Sequence, residues 1–73
     1  MNRYLYTETN NGKKQSKSIS ASSYHDAIER ISTKYANKFE DDYLVDCDSF
    51  EELKEYLFNN YSITISELNI DVE

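Results

Sequence analysis

Carboxylates crowd one stretch of this 73-residue chain: Asp42, Asp46, Asp48, Glu51, Glu52 and Glu55, with Tyr56 beside the last of them. Such groups can hold a divalent cation, act in pairs as acid and base, or meet Arg and Lys of another protein. Asp46-x-Asp48-x-x-Glu51 gathers three hard oxygen ligands within six residues. In an EF-hand loop, however, Phe50 and Glu51 would stand where the third ligand and the turn glycine belong. Asp48 reads better as a helix cap, and no metal site is expected.

Other chemistry fares no better. Cys47 is flanked by Asp46 and Asp48, whose negative charge opposes the thiolate that a nucleophile needs. It reads as a small core residue. His25 is the only histidine, and it falls where a helix begins, so the positive helix end opposes its imidazolium. No second Cys or His accompanies it for zinc. With no glycine-rich phosphate loop and no paired-carboxylate pocket, the expectation is a protein without catalytic activity or cofactor.

Charge is divided unevenly. Residues 1–38 carry seven bases and three acids, net +4, while residues 39–73 carry one base, Lys54, and eleven acids, net −10. A small domain charged in this way projects a directional field that selects partners. A net charge of −6 argues against general affinity for nucleic acid, which requires clustered bases, and against anionic membranes. No apolar run approaches the ~20 residues of a membrane span, and no signal-peptide core follows Met1. A single cysteine forms no internal disulfide. A soluble cytoplasmic protein is expected. Abundant Asn, Lys, Ile, Tyr and Ser suit an AT-rich gene, as in low-GC bacteria and their phages; a phage product would work in the host cytoplasm.

These residues must be positioned by a fold that local pattern predicts. Residues 3–9 are rich in aromatic and β-branched types and read as a strand. Asn11-Gly12 follows, a strong type I′ hairpin signal. This turn pairs Asn10 with Lys13, Tyr4 with Ile19 and Tyr6 with Lys17, and turns Tyr4, Tyr6, Ile19 and Ala21 inward. Ser22 or Ser23 then caps a helix, with Asp26 in a capping-box-like position. Its buried stripe is Tyr24, Ala27, Ile28, Ile31, Tyr35 and Phe39. After the charged connector Glu40-Asp41-Asp42, residues 43–47 alternate as a third strand, with Tyr43, Val45 and Cys47 on one side. Asp48 or Ser49 caps a second helix with stripe Phe50, Leu53, Leu57 and Tyr61, outward Glu51, Glu52 and Glu55, and a stop at Asn59-Asn60. The tail changes phase, so a final strand is expected over 67–72 after a bulge or break near Ser66-Glu67. The sum is one α+β domain, residues 1–73, of order β-β-α-β-α-β. Its sheet is mostly antiparallel, with both helices packed on one face.

On this frame the acidic residues invite two readings. One is a protein-binding face in which Asp42, Asp46, Asp48, Glu51, Glu52 and Glu55 meet a basic partner while Tyr56 anchors the contact. Its sharpest form is a phage or mobile-element inhibitor. Such a protein imitates the phosphate backbone and blocks a nucleic-acid-binding host enzyme, as an anti-defence or anti-CRISPR protein would. The alternative is a structural or assembly protein, such as a homodimer through an edge strand, whose acids only keep it soluble. The basic hairpin of Lys13, Lys14 and Lys17 near Arg3 is a weak nucleic-acid footprint beside so acidic a half; solubilising lysines explain it, and no direct nucleic-acid binding is expected.

Overall fold

The computed structural model describes residues 2–47 and 49–70. Strand β1 (Asn2–Asn10) turns into β2 (Lys13–Ala21), followed by helix α1 (Tyr24–Phe39) and a short 3₁₀ helix (Asp42–Asp46). Helix α2 (Phe50–Tyr61) and strand β3 (Ile63–Ile70) complete the described chain. The α+β class, the antiparallel sheet and the two helices on one face are as the pattern predicts. The sheet has three strands in the order β2-β1-β3.

The hairpin register follows directly from its turn. Asn11 and Gly12 both have positive φ, 55° and 78°, as a type I′ turn demands. Asn10 pairs with Lys13, Tyr4 with Ile19 and Tyr6 with Lys17. Tyr4, Tyr6 and Ala21 are buried and Ile19 half-buried, which confirms the inward face.

Ser23 caps α1, its hydroxyl accepting from the Asp26 amide at 3.1 Å. Asp26 does not close the reciprocal half of a capping box on Ser23. It reaches one residue further back and accepts from the Ser22 amide at 2.9 Å. Ala27, Ile28, Ile31 and Tyr35 form the buried stripe, and Ser32 is buried with them because its hydroxyl donates to the Ile28 carbonyl at 2.8 Å. Tyr24 departs from the expected stripe. It is the first helical residue, about half exposed, with its ring edge-on to Tyr4 at 6.3 Å.

The third expected strand is replaced. Residues 42–46 form a 3₁₀ helix, so side chains three apart share a face. Leu44 and Cys47 are therefore both buried, while Tyr43 and Val45 point out. Asp41 nucleates this turn by accepting from the Tyr43 amide at 3.1 Å, a local bond that competes with extended backbone.

Ser49 caps α2, accepting from the Glu52 amide at 3.2 Å; Asp48, the other cap candidate, lies outside the described residues. Phe50, Leu53 and Leu57 are buried and Tyr61 half-buried, as the stripe predicts. The helix passes the expected stop at Asn59-Asn60 and ends on Ser62 at φ 56°. α1 ends on Glu40 at φ 52°. The chain has one glycine, spent in the hairpin, so ordinary residues occupy both left-handed C-caps.

β3 begins earlier than expected, at Ile63, and the phase change is a bulge. Thr7 faces Ser66 and Leu5 faces Asn69, so β3 carries one extra residue opposite Tyr6. Glu67 sits there at φ 60°. The bulge lets Ile63 and Ile65 before it, and Leu68 after it, all face the core. Val72 lies outside the described residues.

Candidate protein-binding surface

The surface grows from the junction between α1 and the 3₁₀ helix. Asp41 accepts hydrogen bonds from the hydroxyls of Tyr56 and Tyr61 in α2, each at 2.6 Å and both on the same carboxylate oxygen. Its other oxygen holds the Tyr43 amide. These donors keep the Asp41 carboxyl below the usual carboxylate range, the Tyr56 hydroxyl first and the Tyr61 hydroxyl second. The reciprocal effect pushes the Tyr56 hydroxyl up to about 12, chiefly through the Asp41 bond, and raises Tyr61 for the same reason.

Rings extend this junction outward. Tyr35 stacks on Phe39 at 6.1 Å and Phe39 on Tyr61 at 4.1 Å. Tyr56 lies 6.3 Å from Tyr61 and stacks at 4.7 Å on Tyr43, which is 59% exposed. The aromatic row thus runs from the fully buried core to open solvent.

A groove of about 400 Å³ lies along the outer end of this row, bordered by Tyr43, Tyr56, Glu52, Glu55, Asn59, Asn60 and Cys47. On the other flank of α2, a groove of about 290 Å³ is bordered by Glu51, Lys54, Glu55, Phe58 and Thr64. Phe58 is 60% exposed there. Glu55 borders both grooves.

The structure therefore gathers Glu52, Glu55 and Tyr56 in one groove and sets Glu51 on the adjoining one. Asp42 and Asp46 are exposed on the 3₁₀ helix, and Asp48 lies outside the described residues. Between described residues, ion pairs join Lys17 to Glu8, Arg30 to Asp26 and, when His25 is protonated, His25 to Glu29. None of them engages an acid of α2 or of the 3₁₀ helix.

Tyr56 is less free than the sequence suggests, since Asp41 takes its hydroxyl and Tyr43 covers its ring. The abundance of tyrosine already points to Tyr43, Tyr56 or Tyr61 as contact residues; local pattern does not single out Phe58, nor Asp41 as the acid that organises the surface. A usable signal was present: Asp41 two residues before Tyr43 fits a side-chain-capped turn, and Leu44-x-x-Cys47 fits 3₁₀ periodicity.

A second polar group is buried under the sheet. Glu8, 7% exposed, accepts a short hydrogen bond from Tyr35 and lies 4.0 Å from Lys17. Tyr6 is buried beside them, and its hydroxyl makes no hydrogen bond to the protein. Burial is the main cause that raises the Tyr6 hydroxyl; the nearby Tyr35 hydroxyl opposes it and the Glu8 carboxylate adds to it. Burial, then the Glu8 bond, raises Tyr35 far above the ordinary range.

Among the described residues no helix is long and apolar enough to cross a membrane. The chain matches no protein-family model, no curated protein and no solved structure.

Proposed function

We propose that this chain is a non-enzymatic protein-binding domain whose acidic surface, built on α2 and the 3₁₀ helix, docks on a basic protein surface. One observation carries the reading: Glu51, Glu52, Glu55, Asp42 and Asp46 are exposed, Glu52 and Glu55 border an open aromatic groove, and none of the five joins the ion pairs found between described residues. Like charges one helical turn apart repel, so their concentration costs the free protein stability that a cationic partner would restore in the complex. Glu51 and Glu55 repeat about 6 Å apart along the helix axis, a periodic negative charge of the kind a nucleic-acid groove accepts. The sharpest form of the proposal is an inhibitor from a phage or mobile element that occupies the nucleic-acid site of a host defence enzyme. It works in the cytoplasm of that host.

The test is affinity capture from a low-GC bacterial lysate, elution by a salt gradient, and competition of the captured protein with its own nucleic acid. Capture should weaken steeply with salt and fail for the triple variant E51Q/E52Q/E55Q. Unaltered capture by that variant at ~0.1 M salt would end the proposal. The rival reading draws on the open outer edges of β2 and β3 in the order β2-β1-β3. It predicts a homodimer that sedimentation at two concentrations detects and that salt does not dissociate.

A further inference from the structure

The groove beside Tyr43 joins an aromatic ring to carboxylates and side-chain amides. One face of the Tyr43 ring is covered by Tyr56 at 4.7 Å, yet the residue remains 59% exposed, so its outer face and edge are open. Glu52 and Glu55 border the same groove, and Asn59 and Asn60 add amide acceptors. Asn60 spends its amide nitrogen on the Tyr56 carbonyl at 3.0 Å, which leaves its side-chain oxygen as the group able to receive a donor. The Asp41 bond to Tyr56 fixes the inner ring and so holds the outer one in place. The groove thus combines an aromatic wall, two carboxylates and an oriented amide oxygen.

We infer that this groove receives an arginine side chain of the partner, its guanidinium plane stacked on Tyr43 and its N–H fork donating to Glu52 and Glu55. The inference rests on the acidic docking surface proposed above and names what that surface recognises. Arginine fits better than lysine because the guanidinium is planar, stacks on rings, is weakly hydrated and presents several donors in fixed geometry. A lysine ammonium is one compact, strongly hydrated charge that can sit over a ring, as Lys38 does over Phe39 at 5.5 Å, but cannot stack in plane or donate as a fork. The volume of about 400 Å³ is ample for one such side chain.

The experiment uses the full chain and two probes, a deca-arginine and a deca-lysine peptide, titrated by NMR at ~0.05 M salt. The Tyr43 ring protons and the Asn59 and Asn60 side-chain amides are the reporters. Deca-arginine should bind about five- to tenfold more tightly than deca-lysine and shift the Tyr43 ring most. Tyr43→Leu should abolish this preference while both peptides still bind, and Tyr43→Phe should retain it. Cooperative thermal unfolding and unshifted resonances away from the groove confirm that the fold of both variants is intact, with a slightly lower midpoint for Tyr43→Leu, which gives up the stack on Tyr56. Equal affinity for the two peptides, or a preference that survives Tyr43→Leu, overturns the arginine groove. If both peptides nevertheless lose affinity in E51Q/E52Q/E55Q, the docking surface stands while the groove assignment falls. If neither peptide binds at this salt, both fall together.

Discussion

Tyr56 and Asp41, fifteen residues apart, meet at 2.6 Å, and this bond fastens the outward face of α2 to the turn that ends α1. The same carboxylate oxygen takes the Tyr61 hydroxyl, so one acid holds the half-buried rings of Tyr61 and Tyr56, and through Tyr56 supports the exposed Tyr43.

The alkaline titration follows from this contact. The Tyr56 hydroxyl is raised to about 12, above the value near 10 of an unfolded chain. Its contribution to stability is therefore complete below pH ~10 and lost as pH rises through about 12. Tyrosinate absorbance should show this late step in the native protein. In Asp41→Asn it should move toward 10, and a midpoint unmoved by that change would refute the assignment.

The acid side has the opposite sign. Asp41, held down by Tyr56 and Tyr61, and Asp26, held down first by the Ser22 amide and then by Arg30, both lie below their unfolded values. Their stabilisation is complete above pH ~4 and is lost as pH falls through the lower folded values. Urea midpoints measured from pH 5 down to 2 should fall in the native protein and fall less steeply in D26N/D41N.

Buried Glu8 makes Tyr35 and Tyr6 respond differently to loss of a hydroxyl. Tyr35→Phe strips a buried carboxylate of its donor and should cost about 1–3 kcal/mol in urea denaturation. Tyr6→Phe removes a hydroxyl that has no protein hydrogen bond, and should be neutral or stabilising. The two phenylalanine variants are otherwise matched in shape and burial. Equal losses would contradict the hydrogen-bond assignment.

Glu55 sits four residues after Glu51 and three after Glu52, beyond the first turn where helix ends favour acids. Glu55→Gln should raise stability by about 0.2–0.5 kcal/mol through relief of like-charge repulsion. It should weaken binding of the cationic peptides at the same time. A destabilised Glu55→Gln would show that the carboxylate serves the fold instead.

Glu67 at φ 60° occupies the bulge of β3 in a conformation that glycine adopts without a Cβ penalty. Glu67→Gly should stabilise by about 0.5–1 kcal/mol, read from the urea midpoint at constant m-value. A clear loss would mean that the Glu67 side chain contributes more than its backbone costs.

Local pattern determined most of the elements. Asn11-Gly12 set the hairpin register because two adjacent residues of positive φ admit one pairing. Ser23 and Ser49 set where the helices start because their hydroxyls satisfy amides that the helix itself cannot. The outward placement of Glu51, Glu52 and Glu55 followed from helical periodicity alone. Residues 43–47 misled because five residues satisfy both an alternation of Tyr43, Val45 and Cys47 and the 3₁₀ spacing Leu44-x-x-Cys47, and the Asp41 bond to the Tyr43 amide favours the turn.

Tertiary structure alone decided the rest. Which tyrosines would be spent internally depended on Asp41 coming within reach of Tyr56 and Tyr61, a contact between segments that no local spacing encodes. The same closure left Tyr43 open and brought it beside Glu52 and Glu55. Side chains distant in sequence acquire a shared environment only when the core brings their elements together, so the acids were legible early and the groove they border was not.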